Sequence, residues 1–290
     1  METPRAYVSE NGTRLRLVHG PIDIVAGADG ADGDARLRAF AAARERFRTI
    51  LSELVAELPI LRSRCSPGGL GLRGPVARRM EAAVLPFAGD TFVTPMAAVA
   101  GAVSAEIVET MLKPAPLTRA FANNGGDIAV HLSPGAVFEI GMARFASGAL
   151  GRISISAGDG IGGIASSGAT GRSLSMGIAD SVTVLAADAP SADAAATLIA
   201  NAVDLPGHPG IERQAADRLQ PDTDLGNRLV VTGRAGLSDA DIEEALERGA
   251  AQSEEMLRRG LIGAAALFLE NRSRFVGGPA ARAFRISARG

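Results

Sequence analysis

The chain has 290 residues, of which 47% are hydrophobic and 21% are charged, and its 30 basic residues nearly balance 32 acidic ones. This composition is too apolar for a disordered chain, and the length is sufficient to bury a large core. The basic residues form no dense cluster that would neutralise phosphates, so nucleic acid is not expected as a partner. Lys113 is the single lysine, which excludes the Gly-Lys-Ser/Thr sequence of a Walker A loop.

The few cysteines and histidines exclude further classes of protein. Cys65 is the only cysteine, which excludes a disulfide framework and a cysteine metal cluster. The three histidines, His19, His131 and His208, lack the spacing of a zinc hydrolase. Residues 1–10 lack the apolar core of a signal peptide, and no uninterrupted apolar run reaches the roughly 18 to 20 residues of a membrane span. We therefore expect a cytoplasmic protein without a membrane partner.

The first part of the chain predicts a β-hairpin followed by helices. Asn11-Gly12 suits a type I′ turn within 5–19, and residues 21–26 add a third strand. Apolar residues at helical spacing predict one amphipathic helix over 34–58. Thr94-Pro95 offers a hydroxyl cap and a first-turn proline for a buried helix over 96–111, whose small residues let another backbone come close.

The rest of the chain predicts mainly short strands joined by glycine-containing turns. The predicted strands are 117–123, 128–132, 137–142, 152–156, 180–187, 228–231 and the apolar element 261–269. The predicted helices run from Ser191 to about 203 and over 239–259, and residues 158–171 read as a long loop. No repeat or linker divides the sequence. We expect a single α+β domain over 1–290, with a soft lobe boundary near 113–117.

The segment Asn123-Asn124-Gly125-Gly126-Asp127 is the first candidate site. Its two glycines permit positive φ and a close approach of the backbone to a ligand, while Asn and Asp supply polar contacts. The same residues suit a β-hairpin turn with no further role. Turn chemistry alone favours the second explanation.

The glycine-rich segment 158–171 is the second candidate. It contains G-x-G-x-x-G at positions 158, 160 and 163, but no helix is predicted at the last glycine, which a dinucleotide fingerprint requires. Backbone N–H groups and hydroxyls around Ser166, Ser167 and Gly168 nevertheless suit a phosphate or pyrophosphate. A flexible connecting loop is the alternative.

Asp193, Thr197 and Asn201 are the third candidate, spaced i, i+4 and i+8 along a predicted helix. A carboxylate and a hydroxyl one turn apart are oxygen donors that suit Mg²⁺. The alternative is a helix-start acid and a threonine bonded to the carbonyl four residues earlier.

Taken together, these motifs resemble the ApbE superfamily, the FAD:protein FMN transferases, and more closely its uncharacterised short branch in tetrahydromethanopterin-using organisms. The resembling segments, in chain order, are Phe92-Val-Thr94-Pro95-Met96-Ala-Ala-Val-Ala-Gly101, Asn124-Gly125-Gly126-Asp127-Ile128, Ala165-Ser166-Ser167-Gly168, Asp180-Ser-Val-Thr-Val and Ala192-Asp193-Ala194 with Thr197. The resemblance implies an α+β tunnelling-fold (T-fold) architecture, with antiparallel sheets packed by long helices. It also implies a homo-oligomer, with a dimer as the expectation.

The resemblance also implies a set of ligand-binding residues. A flavin or pterin, as ligand or substrate, would contact Thr94, Asp180, the turn Asn123–Asp127 and the Ser166-Ser167-Gly168 segment, while Asp193 and Thr197 would hold Mg²⁺. The transferases carry a His-x-x-Asp-Pro segment between the Ser-Gly loop and the next strand. The corresponding residues of this sequence, 172–180, contain no histidine. The leading hypothesis is an enzyme of tetrahydromethanopterin biosynthesis that binds a phosphate-bearing pterin- or flavin-like ring. The alternatives are a Mg²⁺-dependent FAD:protein FMN transferase and a non-catalytic ligand-binding or scaffold protein.

Overall fold

A computed structural model describes residues 3–30, 32, 34–89, 91–144, 148–171 and 173–286. The chain forms two compact units. Unit 1 comprises Met1–Phe138, Ile155–Ala165 and Ala186–Asp193, and unit 2 comprises Glu139–Ser154, Ser166–Leu185 and Ala194–Gly290. The expected single domain with a boundary near 113–117 stays a prediction.

Unit 1 is built mainly from the N-terminal elements. In chain order these are β1 (Arg5–Val8), β2 (Leu15–His19), β3 (Ile22–Gly30), α1 (Ala35–Ala56), α2 (Leu58–Leu61), α3 (Pro75–Val84), α4 (Val99–Leu112), β4 (Leu117–Asn124) and β5 (Asp127–Leu132). The strands pair antiparallel in the order β1-β2-β3-β4-β5. On β2, Leu15 and Leu17 are fully buried whereas Arg16 between them is exposed. This alternation directs one face of the sheet toward the core.

The helices α1 and α4 complete the core of unit 1. Helix α1 packs on α4 and β3, and α4 packs on β4 and β5. Phe40, Phe47 and Ile50 are buried along α1, which confirms the predicted amphipathic helix. Helix α4 is buried on most of its surface, as its small apolar side chains predicted.

The next elements are β6 (Val137–Arg144), β7 (Gly148–Ser156), β8 (Gly163–Ser167), β9 (Ser181–Ala186) and α5 (Ala189–Ala202). Each of these five elements has its first residues in one unit and its last residues in the other. Within unit 1, β8 begins by pairing antiparallel with β5 through Ile128↔Ile164 and Ala129↔Gly163. Residues 158–171 are therefore not the continuous loop that glycine content predicted, because strand pairing orders their middle part.

Unit 2 is completed by β10 (Ile211–Ala215), α6 (Ala216–Leu219), β11 (Leu229–Arg234), α7 (Asp239–Arg258), β12 (Ala264–Leu269), β13 (Arg272–Gly277) and β14 (Phe284–Ile286). Strand β12 is buried throughout and pairs antiparallel with β9 and β13. Helix α7 packs on β12 and β13. Strands β10 and β11 form a separate hairpin, and β14 pairs with β7. Mixed helices and antiparallel sheets confirm the α+β class, while the tunnelling-fold architecture stays a prediction.

Three local predictions were wrong in detail. Six residues separate β1 from β2, and among the described residues there only Gly12 has a positive φ, whereas a type I′ turn needs two. The Asn11 side chain instead accepts a hydrogen bond from the Thr13 backbone N–H, at 3.2 Å. Helix α4 begins at Val99 after a 3₁₀ turn. Helix α5 begins before Ser191, because the Asp188 carboxylate accepts the Ser191 N–H at 2.8 Å and caps the helix.

Besides β8, three strands had no predicted counterpart: β10, β13 and β14. Strand β13 is rich in arginine, and Arg272 and Arg274 form ion pairs with Glu243 of α7. These charges mask the strand pattern in the sequence because their partners lie about 30 residues away along the chain.

One described helical segment, Pro95–Leu112, is long and apolar enough to cross a membrane, with a mean hydropathy of 1.3, but 67% of it is buried. Its polar residue Glu106 is itself buried and forms an ion pair with Arg46 at 2.6 Å. A core helix has these properties. The cytoplasmic location stays a prediction.

Candidate functional site

The N-terminus of α4 is capped by a residue from another helix. The preceding residue, Ala98, has no side-chain hydrogen bond to offer. Instead, the carboxylate of Asp193 on α5 accepts the N–H of Gly101, at 2.9 Å to Oδ2, and the N–H of Ala100. These N–H groups belong to the first turn of α4, which has no intrahelical acceptors for them and favours negative charge.

The close approach of α4 to the start of α5 depends on Gly101. A Cβ atom there would lie 2.4 Å from the carbonyl oxygen of Ala189, which is well inside van der Waals contact. The expectation that small residues on this helix admit another backbone is therefore confirmed. Asp193 reaches the α4 N-terminus because this contact is tight.

The segment Asn123–Asp127 forms the turn between β4 and β5. Asn124 and Asp127 are the last paired residues, and Gly125 and Gly126 have φ values of +71° and +117°. The Asn123 side chain accepts the N–H of Gly126 at 2.8 Å. The predicted hairpin turn is confirmed, and its role in ligand binding stays a prediction.

Asp127, at the end of this turn, interacts with Asp193. Burial first, and then the negative charge of Asp127, raise the pKa of Asp193 well above its usual range, against the opposing hydrogen bonds from Gly101 and Ala100. On α4, the buried Ser104 hydroxyl donates to the backbone carbonyl of Asp127 at 2.8 Å. Unit 1 thus brings together Asp127, Asp193 and the first two turns of α4. Burial and electrostatic repulsion favour a proton or a cation on this acidic pair.

The donors present suit Mg²⁺ in their chemistry. Thr197 follows Asp193 by one turn on α5 and is half-buried. Within the described ranges, no group of three or more His, Cys, Asp or Glu side chains is arranged to hold a metal ion. Mg²⁺ commonly takes one or two carboxylates and keeps several waters. Asp193 has a buried carboxylate without a basic partner among the described residues, and Asp127 lies beside it. These two carboxylates meet that requirement.

Thr94 is buried directly before the 3₁₀ turn Pro95–Ala98, which leads into α4. Its backbone carbonyl accepts the N–H of Ala97 at 3.1 Å, whereas its hydroxyl makes no capping hydrogen bond. The predicted hydroxyl cap is wrong because the 3₁₀ turn separates Thr94 from α4. A ligand contact by Thr94 stays a prediction.

The serine and glycine residues of the second candidate lie at the end of β8 and just after it. In unit 2, the Ser166 hydroxyl lies 2.9 Å from the Thr183 hydroxyl. A Cβ atom at Gly168 would lie 2.5 Å from the Asp180 carbonyl oxygen, so close backbone packing accounts for this glycine. The N–H of Ala169 donates to the Ala179 carbonyl at 2.8 Å and is not directed at an anion. The phosphate role of Ser166, Ser167 and Gly168 stays a prediction.

Asp180 lies in an ion-pair network that the sequence did not reveal. One carboxylate oxygen pairs with Arg234, and the other accepts the backbone N–H of Glu270 at 2.7 Å. Burial lowers the pKa of Arg234, but hydrogen bonds and charge from Asp180 and Glu270 outweigh burial and raise it. Both oxygens of Asp180 therefore have protein partners.

The remaining candidate groups have local roles. The Asn201 side chain accepts the Met176 N–H at 3.0 Å. Asn201, which was predicted together with Asp193 and Thr197, therefore has a structural function. His208 accepts the Gly210 N–H through Nδ1 and lies 3.5 Å from Asp241. Cys65 is buried, and burial followed by the charge of Glu81 raises its thiol pKa. This thiol does not have the lowered pKa of a nucleophile.

Comparisons with known proteins find a family and uncharacterised relatives. A family model described as "AbpE bacteria" matches residues 5–275. A UPF0280 protein of Methanosarcina acetivorans is 35% identical over 190 residues, which are 64% of this chain and 70% of that protein. UPF0280 proteins of Methanosarcina barkeri and Methanothrix thermoacetophila are 39% and 38% identical over 45% and 54% of this chain. The chain spans 49% and 65% of those two relatives.

Among solved structures, the ApbE protein of Thermotoga maritima matches with a TM-score of 0.43 and 13% sequence identity. The match covers 81% of this chain and 98% of the Thermotoga chain. This similarity is too weak to transfer site geometry.

Proposed function

The chain belongs to the ApbE-like family described as "AbpE bacteria", and on that premise we propose that it binds a phosphate-bearing pterin- or flavin-like ring together with Mg²⁺. The proposed context is an enzymatic step of cofactor metabolism, in tetrahydromethanopterin biosynthesis. The resemblance of the motifs to the short branch in tetrahydromethanopterin-using organisms supports this context.

The observation that carries the proposal is the buried Asp193 carboxylate beside Asp127. Two N–H groups of α4 hold Asp193 in place, but they do not compensate for burial and for the repulsion from Asp127, which together raise the pKa of Asp193. A divalent cation would neutralise both carboxylates and replace the proton. Thr197, one turn later on α5, belongs to unit 2, and its role as a ligand stays the prediction from the family resemblance.

The residues of unit 1 have distinct proposed roles. The N-terminus of α4 orients the carboxylate of Asp193, which binds the metal, and Asp127 adds a second carboxylate. When bound, Mg²⁺ supplies charge stabilisation to phosphate oxygens of the ligand. The Gly125-Gly126 turn lacks side chains, so a planar ring can approach its backbone closely. Amide groups of Asn123 and Asn124 supply donors and acceptors for the ring edge. We assign no ligand contact to Asp180, because both of its oxygens have protein partners.

A non-catalytic ligand-binding protein is the second candidate. Residues 172–180 contain no histidine, whereas the resemblance to the FMN transferases leads one to expect it there. FMN transfer would require a base from elsewhere in the chain.

The test begins with protein purified without added ligand. Its absorbance spectrum, and mass spectra of the molecules released on denaturation, identify a resident flavin or pterin. Released pterin supports the proposed context, and released flavin favours a transferase. FMN, FAD and a phosphorylated pterin are then titrated with Mg²⁺ and with EDTA. Absence of binding to all of them, with and without Mg²⁺, contradicts the proposal.

A further inference from the structure

Ser104 makes an unusual hydrogen bond for a serine within a helix. Such a serine often bonds back to the carbonyl four residues earlier in its own helix. Ser253 of α7 does so, donating to the Gly249 carbonyl at 2.8 Å. Ser104 is equally buried, yet its hydroxyl donates across to the backbone carbonyl of Asp127 at 2.8 Å. The hydroxyl therefore joins α4 to the end of the β4–β5 turn.

The same helix also holds the other acid. The N–H groups of Ala100 and Gly101 bind the Asp193 carboxylate, and Ser104 lies three residues after Gly101, on the same face of α4. The first turn of α4 thus holds Asp193, and the next turn holds Asp127. The same buried helix therefore makes hydrogen bonds to both acids.

The surroundings of the two attachments differ. Gly101 lies so close to Ala189 that α4 and α5 have no space for adjustment. On the other side, Asp127 is the first residue of β5 and pairs with β4 through Asn124, and the pairing of β5 with β8 begins only at Ile128. The turn before Asp127 consists of two glycines with positive φ, whose backbone is intrinsically permissive. The Ser104 hydroxyl supplies a tether at this point.

We propose that Ser104 is a positioning residue, whose hydrogen bond to the Asp127 carbonyl sets the separation at which Asp127 and Asp193 share a divalent cation. This inference rests on the metal-binding part of the proposed function. In this proposal Ser104 acts through its hydrogen bond to the Asp127 carbonyl and not as a ligand of the ion. Loss of the hydroxyl lets Asp127 move relative to Asp193 and weakens their joint affinity.

The experiment measures binding of Mn²⁺ alone, by electron paramagnetic resonance of the free ion, to the full chain. Ser104→Ala is expected to bind about tenfold more weakly than the unchanged protein, as outer-shell substitutions do, while Ser253→Ala stays within about twofold. Ser253→Ala is a matched control because it removes an equally buried hydroxyl-to-carbonyl bond of equal length. Ser104→Cys, which keeps the size but weakens the donor, replaces the alanine variant if that variant does not fold. Equal affinity of the Ser104 variant and the unchanged protein overturns the inference.

A metal-free double-mutant cycle separates this inference from the proposed function. Urea unfolding midpoints are measured in EDTA for Ser104→Ala, Asp193→Asn and the double variant. If Ser104 positions Asp127 against Asp193, the two effects fail to add. Additive effects overturn the positioning role. Absence of Mn²⁺ binding by the unchanged protein, together with non-additive effects, contradicts the proposed metal and leaves only the metal-independent part of the inference, that Ser104 sets the separation of the two acids.

Discussion

Asp180 and Asp193 are equally inaccessible, with 8% and 9% of their surface exposed, but their surroundings differ. In unit 2, Asp180 faces the Arg234 guanidinium and the N–H of Glu270. In unit 1, Asp193 faces two backbone N–H groups and a second carboxylate, Asp127. One aspartate has a cationic partner within the protein. The other has dipoles that orient it and a neighbour that repels it.

This difference distinguishes a structural acid from a candidate ligand-binding acid. A buried ion pair with satisfied hydrogen bonds is self-contained, and breaking it leaves an uncompensated charge. A buried acid beside another acid favours the uptake of a proton or of an external cation. Sequence motifs place both aspartates in the same candidate set, and only their contacts separate them.

The largest expected effect is at the structural acid. Replacing Arg234 with Met keeps most of the side-chain volume but leaves Asp180 buried without its cation, so the free energy of unfolding should fall by about 3–5 kcal/mol. Arg248→Met removes an exposed ion pair with Glu244 in the same unit and should cost less than about 0.5 kcal/mol. Urea unfolding measures both. If Arg234→Met lowers the free energy of unfolding by no more than Arg248→Met does, the burial of Asp180 does not depend on its ion pair with Arg234.

The next effect tests how Asp193 is held. Gly101→Ala places a Cβ against the Ala189 carbonyl and forces α4 away from α5, which should cost about 1–3 kcal/mol. Gly158→Ala, at a position with no atom within 4 Å of the added Cβ, should change the free energy of unfolding by less than about 0.5 kcal/mol. Thermal unfolding of the two variants, side by side, gives the difference. Equal stabilities would contradict the tight contact.

A smaller effect is expected at the turn that carries Asp127. Asn123→Ala removes the acceptor for the Gly126 N–H and should lower the free energy of unfolding by about 0.5–1.5 kcal/mol. Asn11→Ala removes the exposed acceptor of the β1–β2 loop and serves as the control. If the turn also binds the ring, Asn123→Ala weakens ligand binding as well, whereas Asn11→Ala does not. Unchanged stability of Asn123→Ala would show that the side chain does not hold the turn.

The last effect, given only as a direction, is the pH dependence of stability without divalent cations. Because the pKa of Asp193 is raised in the folded protein, the folded state keeps a proton that the unfolded state loses above about pH 4. Stability from this group is therefore present at low pH and declines as pH rises toward the folded pKa. Asp193→Asn, which cannot ionise, should remove this decline. Parallel urea-midpoint curves for the two proteins would contradict the raised pKa.

Local features were predictable, and long-range partners were not. The amphipathic α1 and the Asn-Gly-Gly-Asp turn follow from periodicity and turn chemistry within a few residues. The Ser-Gly segment was misread because the strand partner of β8 lies more than 30 residues earlier, at Ile128 and Ala129.

For the candidate site, the sequence indicated the two acids but not the residues that hold them. The family resemblance pointed to Asp127 and Asp193, but the Gly101 N–H that binds Asp193 lies 92 residues away. Likewise, Arg234 lies 54 residues from Asp180, so no local pattern marked Asp180 as ion-paired. Ser104 gave no signal, since a serine in a buried helix usually bonds within that helix.

The most direct test of the account is a calorimetric titration of Mg²⁺ into the metal-free protein and two matched variants. Asp193→Asn keeps an oxygen to accept an α4 N–H but removes the negative charge, and Asp188→Asn does the same at the exposed cap of α5. We predict that the unchanged protein and Asp188→Asn bind Mg²⁺ with the same affinity, and that Asp193→Asn loses at least about tenfold. Equal Mg²⁺ binding by all three proteins, or none by any, would contradict the claim that the acidic pair holds a divalent cation.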